Sequence, residues 1–116
     1  MNFDFSKQKH KKLAIIEKAQ TNVVCCDEIT HLDCNGDLVF VFHVNKNSPY
    51  SYTRSLKEIE CELAGFGFLR INRNRVVNMQ HVVNLNAKRR ELRLTNEVTL
   101  PVSRRKWQII RDFFGS

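Results

Sequence analysis

Apolar residues in this chain come in short runs, and turn signals cut off each run within about a dozen residues. Gln20-Thr21-Asn22, Asn35-Gly36, Lys46-Asn47-Ser48-Pro49, Lys88-Arg89-Arg90 and Asn96-Glu97 supply the punctuation. Between them lie extended candidates at 12–18, 23–29, 30–34, 37–45, 50–54, 81–87, 91–95 and 98–102. Many short strands at regular spacing describe a mainly β domain of small antiparallel sheets. Asn35-Gly36 predicts a type I′ hairpin, because both residues tolerate positive φ. Along 81–87, Val83, Leu85 and Ala87 are expected on one face, with Asn84 and Asn86 on the other. Pro101 cannot donate a ladder bond, so the last strand is expected at an edge.

Two short helices interrupt the β pattern. Ser55 and Glu58 form a capping box, and Leu56, Ile59, Leu63 and Phe66 make one stripe that ends at Gly65 or Gly67. The closing helix starts from a Ser103 cap, with Trp107, Ile110 and Phe114 expected on its apolar face and Ile109 and Phe113 beside them.

A chain of 116 residues favours one domain. Residues 1–11 read as a flexible N-terminal arm and 12–116 as the domain. No apolar run approaches the ~20 residues of a membrane span. The polar, basic start holds no signal-peptide core, so a cytoplasmic protein is expected. The four cysteines form no C-x-x-C pair and read as small apolar side chains. Neither a metal nor another cofactor is expected.

The net charge of +7 is unevenly spread. Residues 68–116 hold 11 Arg and Lys against three Asp and Glu, a balance of +8, while the remainder carries −1. Such a directed field points to a polyanion, and a merely solvated basic face is the alternative. Three clusters concentrate the charge. Asn72-Arg73-Asn74-Arg75 follows Arg70 between apolar segments, with no acid between Glu62 and Glu91. These arginines must therefore reach water or await an outside anion. Arg104, Arg105 and Lys106 fill the first turn of the last helix, against its dipole, where a stability-driven sequence would place acids. That terminus suits phosphate, unless Glu91 or Glu97 folds back to pair with it. Lys88-Arg89-Arg90 is expected at a hairpin tip.

Signatures of enzymes (G-x-S-x-G, H-E-x-x-H, a Walker lysine loop, G-x-G-x-x-G) are missing, so a non-enzymatic role is expected. Two readings of the basic half stay open beside that of a double-helical polyanion. One is a basic RNA-binding domain stacking bases on Tyr50, Tyr52 and Phe68. The other is a protein-interaction module that docks an acidic partner.

Taken in order, several segments resemble the LytTR DNA-binding domain family. Residues 27–42, DEITHLDCNGDLVFVF, are similar to its D-x-I-x-Y-I-E-A-x-G-N-Y stretch through Asp27, Ile29, Asp33, Gly36 and Asp37. SLKEIE (55–60) is similar to S-L-K-E-L-E, FLRINRNRVVN (68–78) to F-x-R-I-H-R-S-Y-L-V-N, and LPVSRRK (100–106) to L-P-V-S-R-R-Y. Asn72 stands where the family has His, Arg75 where it has an aromatic residue, and Asp37 where it has Asn.

The resemblance implies an elongated all-β fold with two short helices. It also implies a bacterial transcription regulator that grips double-stranded DNA with loops in successive major grooves and a central minor-groove contact. Carried over, base contacts fall to Asn35, Asp37, Asn72, Arg73, Asn74 and Arg104. Phosphate contacts fall to Arg75, Lys88, Arg89, Ser103, Arg105 and Lys106. Six or so such contacts predict a ~10³-fold or greater loss of affinity between 50 and 200 mM salt. Imperfect direct repeats in the DNA, a dimer on it, and an upstream receiver domain or a separate sensor of a two-component system are the partners it suggests.

Overall fold

The computed structural model describes residues 3–115 and measures 44 × 31 × 25 Å. Its centre is a five-stranded antiparallel sheet in the order β5-β4-β3-β7-β6. These strands span β3 (Ile29–Asn35), β4 (Leu38–His43), β5 (Tyr50–Tyr52), β6 (Phe68–Asn72) and β7 (Arg75–Asn78). A two-stranded ribbon, β1 (Lys12–Glu17) with β2 (Gln20–Cys25), and helix α1 (Leu56–Glu62) supply residues to one core. A three-stranded sheet, β10-β9-β8, and helix α2 (Arg104–Phe113) supply the other. The strands of that sheet are β8 (Val82–Asn86), β9 (Glu91–Leu94) and β10 (Thr99–Pro101). Pro101 sits on its edge strand, where its missing N–H breaks no ladder.

Alternation along β7 serves both cores. Val76 joins Leu13, Ile15, Leu32 and Ile59 on one side. Val77, the next residue, joins Ile71, Leu92, Leu100 and Ile110 on the other. Successive strand side chains point to opposite faces, so a sheet covered on both sides needs apolar residues at consecutive positions. That explains Val76-Val77 and the near-continuous LVFVF run of β4.

Local chemistry sets both helix starts. The Ser55 hydroxyl accepts from Glu58 N at 3.1 Å, and the Ser103 hydroxyl from Lys106 N at 3.3 Å. α1 buries Leu56 and Ile59, with Leu63 just past its end. α2 buries Ile110, with Trp107 and Phe113 half-buried beside it. Ile109 and Phe114, expected on that face, are exposed instead, because 107, 110 and 113 hold the inward stripe and the helix ends before 114.

Three further expectations change. The first hairpin turns at Lys18-Ala19, with Lys18 at φ +55, and 20–22 are already strand. The next turn is at Gly36-Asp37, one residue later than expected. Asn35 still pairs with Leu38, Gly36 has φ +64, and Asp37 has no positive φ, the sign pattern of a type II′ turn. In β8 the register shifts between Val82 and Asn84, so Val83 is bulged out to 51% exposure while Val82 and Leu85 face the core.

Residues 3–11, expected as a flexible arm, lie against the body in this structure. Ser6–His10 form a 3-10 turn whose Gln8 is fully buried. Gln8 and Asn78 exchange amide hydrogen bonds at 2.8 and 3.0 Å, and Gln8 also donates to Phe66 O. Asn78 donates further to Ile29 O (2.9 Å) and Cys26 O (3.2 Å) and accepts from Gln80 N (3.0 Å). Phe3 and Phe5 pack against Phe113 near the C-terminal end of α2. Among the described residues, no helix is long and apolar enough to cross a membrane.

Candidate nucleic-acid interface

Hairpin topology brings the sequence-selected loops to one end of the molecule. Asp33 of β3 faces Arg75 of β7, so the end of β3 adjoins the start of β7. Cys34 N donates to Asn74 O at 2.8 Å across this boundary. The Gly36-Asp37 turn therefore neighbours the Arg73-Asn74 turn that joins β6 to β7. From β6, Ile71 O accepts from Ser103 N at 2.8 Å, and the Asn72 amide donates to Pro101 O at 3.0 Å. These bonds fix the start of α2 beside the same hairpin. Val102 N then donates to Arg90 O at 2.9 Å, adding the β8–β9 tip. The result is a row of four loops joined largely by main-chain hydrogen bonds.

The exposed side chains in this row are Asn35, Asp37, Arg73, Asn74, Lys88, Arg89, Arg104 and Arg105. Asn72, Arg75, Ser103 and Lys106 are half-buried. A shallow depression lined by Glu60, Arg70, Asn72, Arg73, Ser103, Arg105 and Lys106 joins the β6–β7 tip to the start of α2. A second one runs between the Gly36-Asp37 turn and the start of α1 and also reaches Arg70.

Ion pairs divide the cations into two sets. Arg70 donates to Glu60 at 3.0 Å, Arg75 to Asp33 at 2.6 Å, and Arg93 lies 3.5 Å from Glu97. Arg54 pairs with Glu58 and Glu62, and the hydrogen bonds that its guanidinium donates to the Tyr52 hydroxyl and to Glu62 raise its pKa further. The choice posed by the sequence, water or an outside anion, was thus too narrow for Arg70 and Arg75. Their acids arrive from other elements: Glu60 from α1, just before the acid-free stretch, and Asp33 from β3, 42 residues from Arg75. Among the described residues, Arg73, Lys88, Arg89, Arg104, Arg105 and Lys106 form no ion pair. Glu97 goes to Arg93, so it does not fold back onto α2.

Local hydrogen bonds shape three of the four loops. Ser103 caps Lys106, which leaves the N–H groups of Arg104 and Arg105 directed out of the helix. Within the β6–β7 tip, Asn74 N donates to Asn72 Oδ1 at 2.9 Å, a local bond that closes the turn and leaves Arg73 at its apex. Arg89 N donates to Asn86 Oδ1 at 3.1 Å in the β8–β9 tip. Glu60 and Arg70 were not selected as site residues from the sequence, since nothing local links position 60 to position 70. Arg90 was also passed over; it lies in the left-handed region, and its buried Nε has no hydrogen-bond partner among the described residues.

The RNA alternative loses its stacking platform here. Phe68 is 4% and Tyr52 7% exposed, both within the core, and Tyr50 lies beneath the Lys46 ammonium. At the opposite end of β3, Cys25, Asp27 and Glu28 bring a thiol and two carboxylates within 4.8 Å of one another. This three-donor set falls one short of the four that structural zinc takes.

Against known families, the profile of the LytTr DNA-binding domain matches residues 19–115. The chain belongs to the LytTR family. It is therefore a DNA-binding domain of a regulator family, and that family is not one of enzymes. A solved LytTr DNA-binding domain from Bacillus cereus, described as part of a methyl-accepting/DNA response regulator, shares the fold. The two superpose with a TM-score of 0.77 at 19% identity, over 90% of this chain and 97% of that one. No curated protein matches the chain. The elongated arrangement of small antiparallel sheets with two helices is thus the LytTR architecture that the sequence motifs implied.

Proposed function

We propose that this LytTR domain binds double-stranded DNA in a sequence-specific manner through the four-loop row and acts as a bacterial transcriptional regulator in the cytoplasm. The observation that carries this reading is the division of cations: those with carboxylate partners lie beneath or beside the row, while Arg73 and Arg104 stand on it exposed and, among the described residues, without an ion pair. In the proposed geometry, Asn35 and Asp37 enter one major groove and Arg104 the next. Arg73, flanked by Asn72 and Asn74, reads the minor groove between them. Asp37 accepts from cytosine, the base-edge donor that suits a carboxylate. Lys88, Arg89, Ser103, Arg105 and Lys106 hold phosphates. Arg75, with its Nε on Asp33, is left a supporting place. The DNA carries imperfect direct repeats, bound by two copies. Input comes from a receiver domain or separate sensor of a two-component system.

The test is selection of bound sites from a random duplex library, followed by Arg73→Ala and Arg104→Ala on the selected site. Each variant is expected to lose roughly 1–3 kcal/mol and to relax preference at its own base only. Retention of parental affinity and preference by both variants would overturn the assignment. A parent protein that shifts no duplex at moderate salt, but binds an acidic protein, would favour the interaction-module reading.

A further inference from the structure

Among the cations near the row, Arg70 stands out by its partners. Its side chain is three-quarters buried, and three of its nitrogens are each engaged by an acceptor of this chain. Nη1 donates to Glu60 Oε1 at 3.0 Å, Nε to Asn72 O at 3.3 Å, and Nη2 to Arg73 O at 2.6 Å. A single planar fork thus holds a carboxylate on α1 and two successive carbonyls of the β6–β7 tip. Both carbonyls lie on the loop side of a register shift between Arg70 and Asn72. The ladder resumes only at the Asn72–Arg75 pair, and Arg70 reaches past the shift to tie the turn that this pair closes.

We propose that Arg70 is a positioning residue: anchored by Glu60, it locks the Arg73-Asn74 turn in the conformation from which Arg73 reads DNA. This rests on the DNA-binding reading above and adds to it a device that contacts no DNA. The chemistry favours arginine specifically. Five N–H donors in a rigid plane can serve three acceptors at fixed angles, which a lysine ammonium on a flexible stem cannot do. Glu60 is required in turn, because without it the fork has a free arm and an unneutralised charge beside Arg73 and Arg105, which line the same depression.

The experiment uses Arg70→Lys, Arg70→Met and Glu60→Gln in the full chain, with two readouts. The first, independent of DNA, is fast-timescale backbone order at Arg73 and Asn74 by NMR. It is expected to fall in all three variants while order in the sheet cores stays at the parental level. The second is base preference on the selected duplex. Discrimination at the base under Arg73 is expected to fall roughly five- to tenfold, the lower part of the range for one base contact. Preference at the base under Arg104 is expected to stay, as is the slope of affinity against salt. In an Arg73→Ala background, Arg70→Met should produce no further loss.

Arg70→Lys that restores parental order and preference would show that charge alone suffices, and would overturn the lock. A salt slope that becomes shallower by about one in Arg70→Met would mean that Arg70 holds a phosphate itself, and would overturn it as well. If the parent bound no duplex, the DNA reading would fall, while tip order in the variants would still decide whether Arg70 locks the turn.

Discussion

Salt offers a quantitative check on the division of cations. Among the described residues without an ion pair, Lys88, Arg89, Arg105 and Lys106 are the proposed phosphate ligands, and Arg73 and Arg104 are proposed to enter grooves lined by phosphates. Four to six neutralised phosphates give a slope of log affinity against log salt of about −3.6 to −5.4. Between 50 and 200 mM salt, that corresponds to a loss of roughly 150- to 2,000-fold. Fluorescence anisotropy of a labelled duplex, titrated across this range, measures it directly. Arg105→Gln should make the slope shallower by about 0.9. Arg75→Gln should change it much less, since Asp33 already holds Arg75 Nε at 2.6 Å. Near-independence from salt would refute the phosphate reading. Equal effects of the two substitutions would refute the inference that a carboxylate partner withdraws a cation from the interface.

Two further outcomes test the frame beneath the loops. Asn78→Ala removes a fully buried amide with five hydrogen bonds to Gln8, Cys26, Ile29 and Gln80, and leaves several of those groups unsatisfied. It should destabilise the domain by about 3–5 kcal/mol in urea unfolding, with Gln8→Ala adding little on top; a loss below about 1 kcal/mol would contradict the role given to this clasp. Burial lowers the His31 pKa from 6.5 to about 4, partly opposed by Asp33 and reinforced by Arg75. The unfolded chain therefore binds the extra proton between these values, and stability should fall as pH drops from 6.5 towards 4, by on the order of 3 kcal/mol from this group. His31→Gln should flatten that part of the stability–pH curve, and an unchanged fall would rule out His31 as its source.

Features written in local chemistry were legible in the sequence. Ser55 and Ser103 cap helices where their side chains could reach the third residue on, and Pro101 lies on an edge. The loops bearing Arg73 and Arg104 stood out because their charges oppose what local stability would select. Features set by tertiary pairing were not legible. The bulge at Val83 reverses an alternation that reads cleanly in 81–87. The turn at Gly36-Asp37 is placed by the Asn35–Leu38 pair, which the dipeptide alone does not encode. Gln8 looked like part of a polar arm because its partner lies seventy residues away. Likewise, the acids beside Arg70 and Arg75 come from other elements, so both arginines seemed equivalent to Arg73 until the chain was folded.

The bonds that string the loops together run from Cys34, Ser103 and Val102 N–H groups to the carbonyls of Asn74, Ile71 and Arg90. Each uses atoms that almost every amino acid possesses. On the proposed reading, replacing Arg73 or Arg104 would alter the text recognised while leaving these main-chain ties in place. If the apical side chains read the operator as proposed, a scaffold of this kind would be retargeted by exchanging a few of them, provided that the residues beneath them stay as they are.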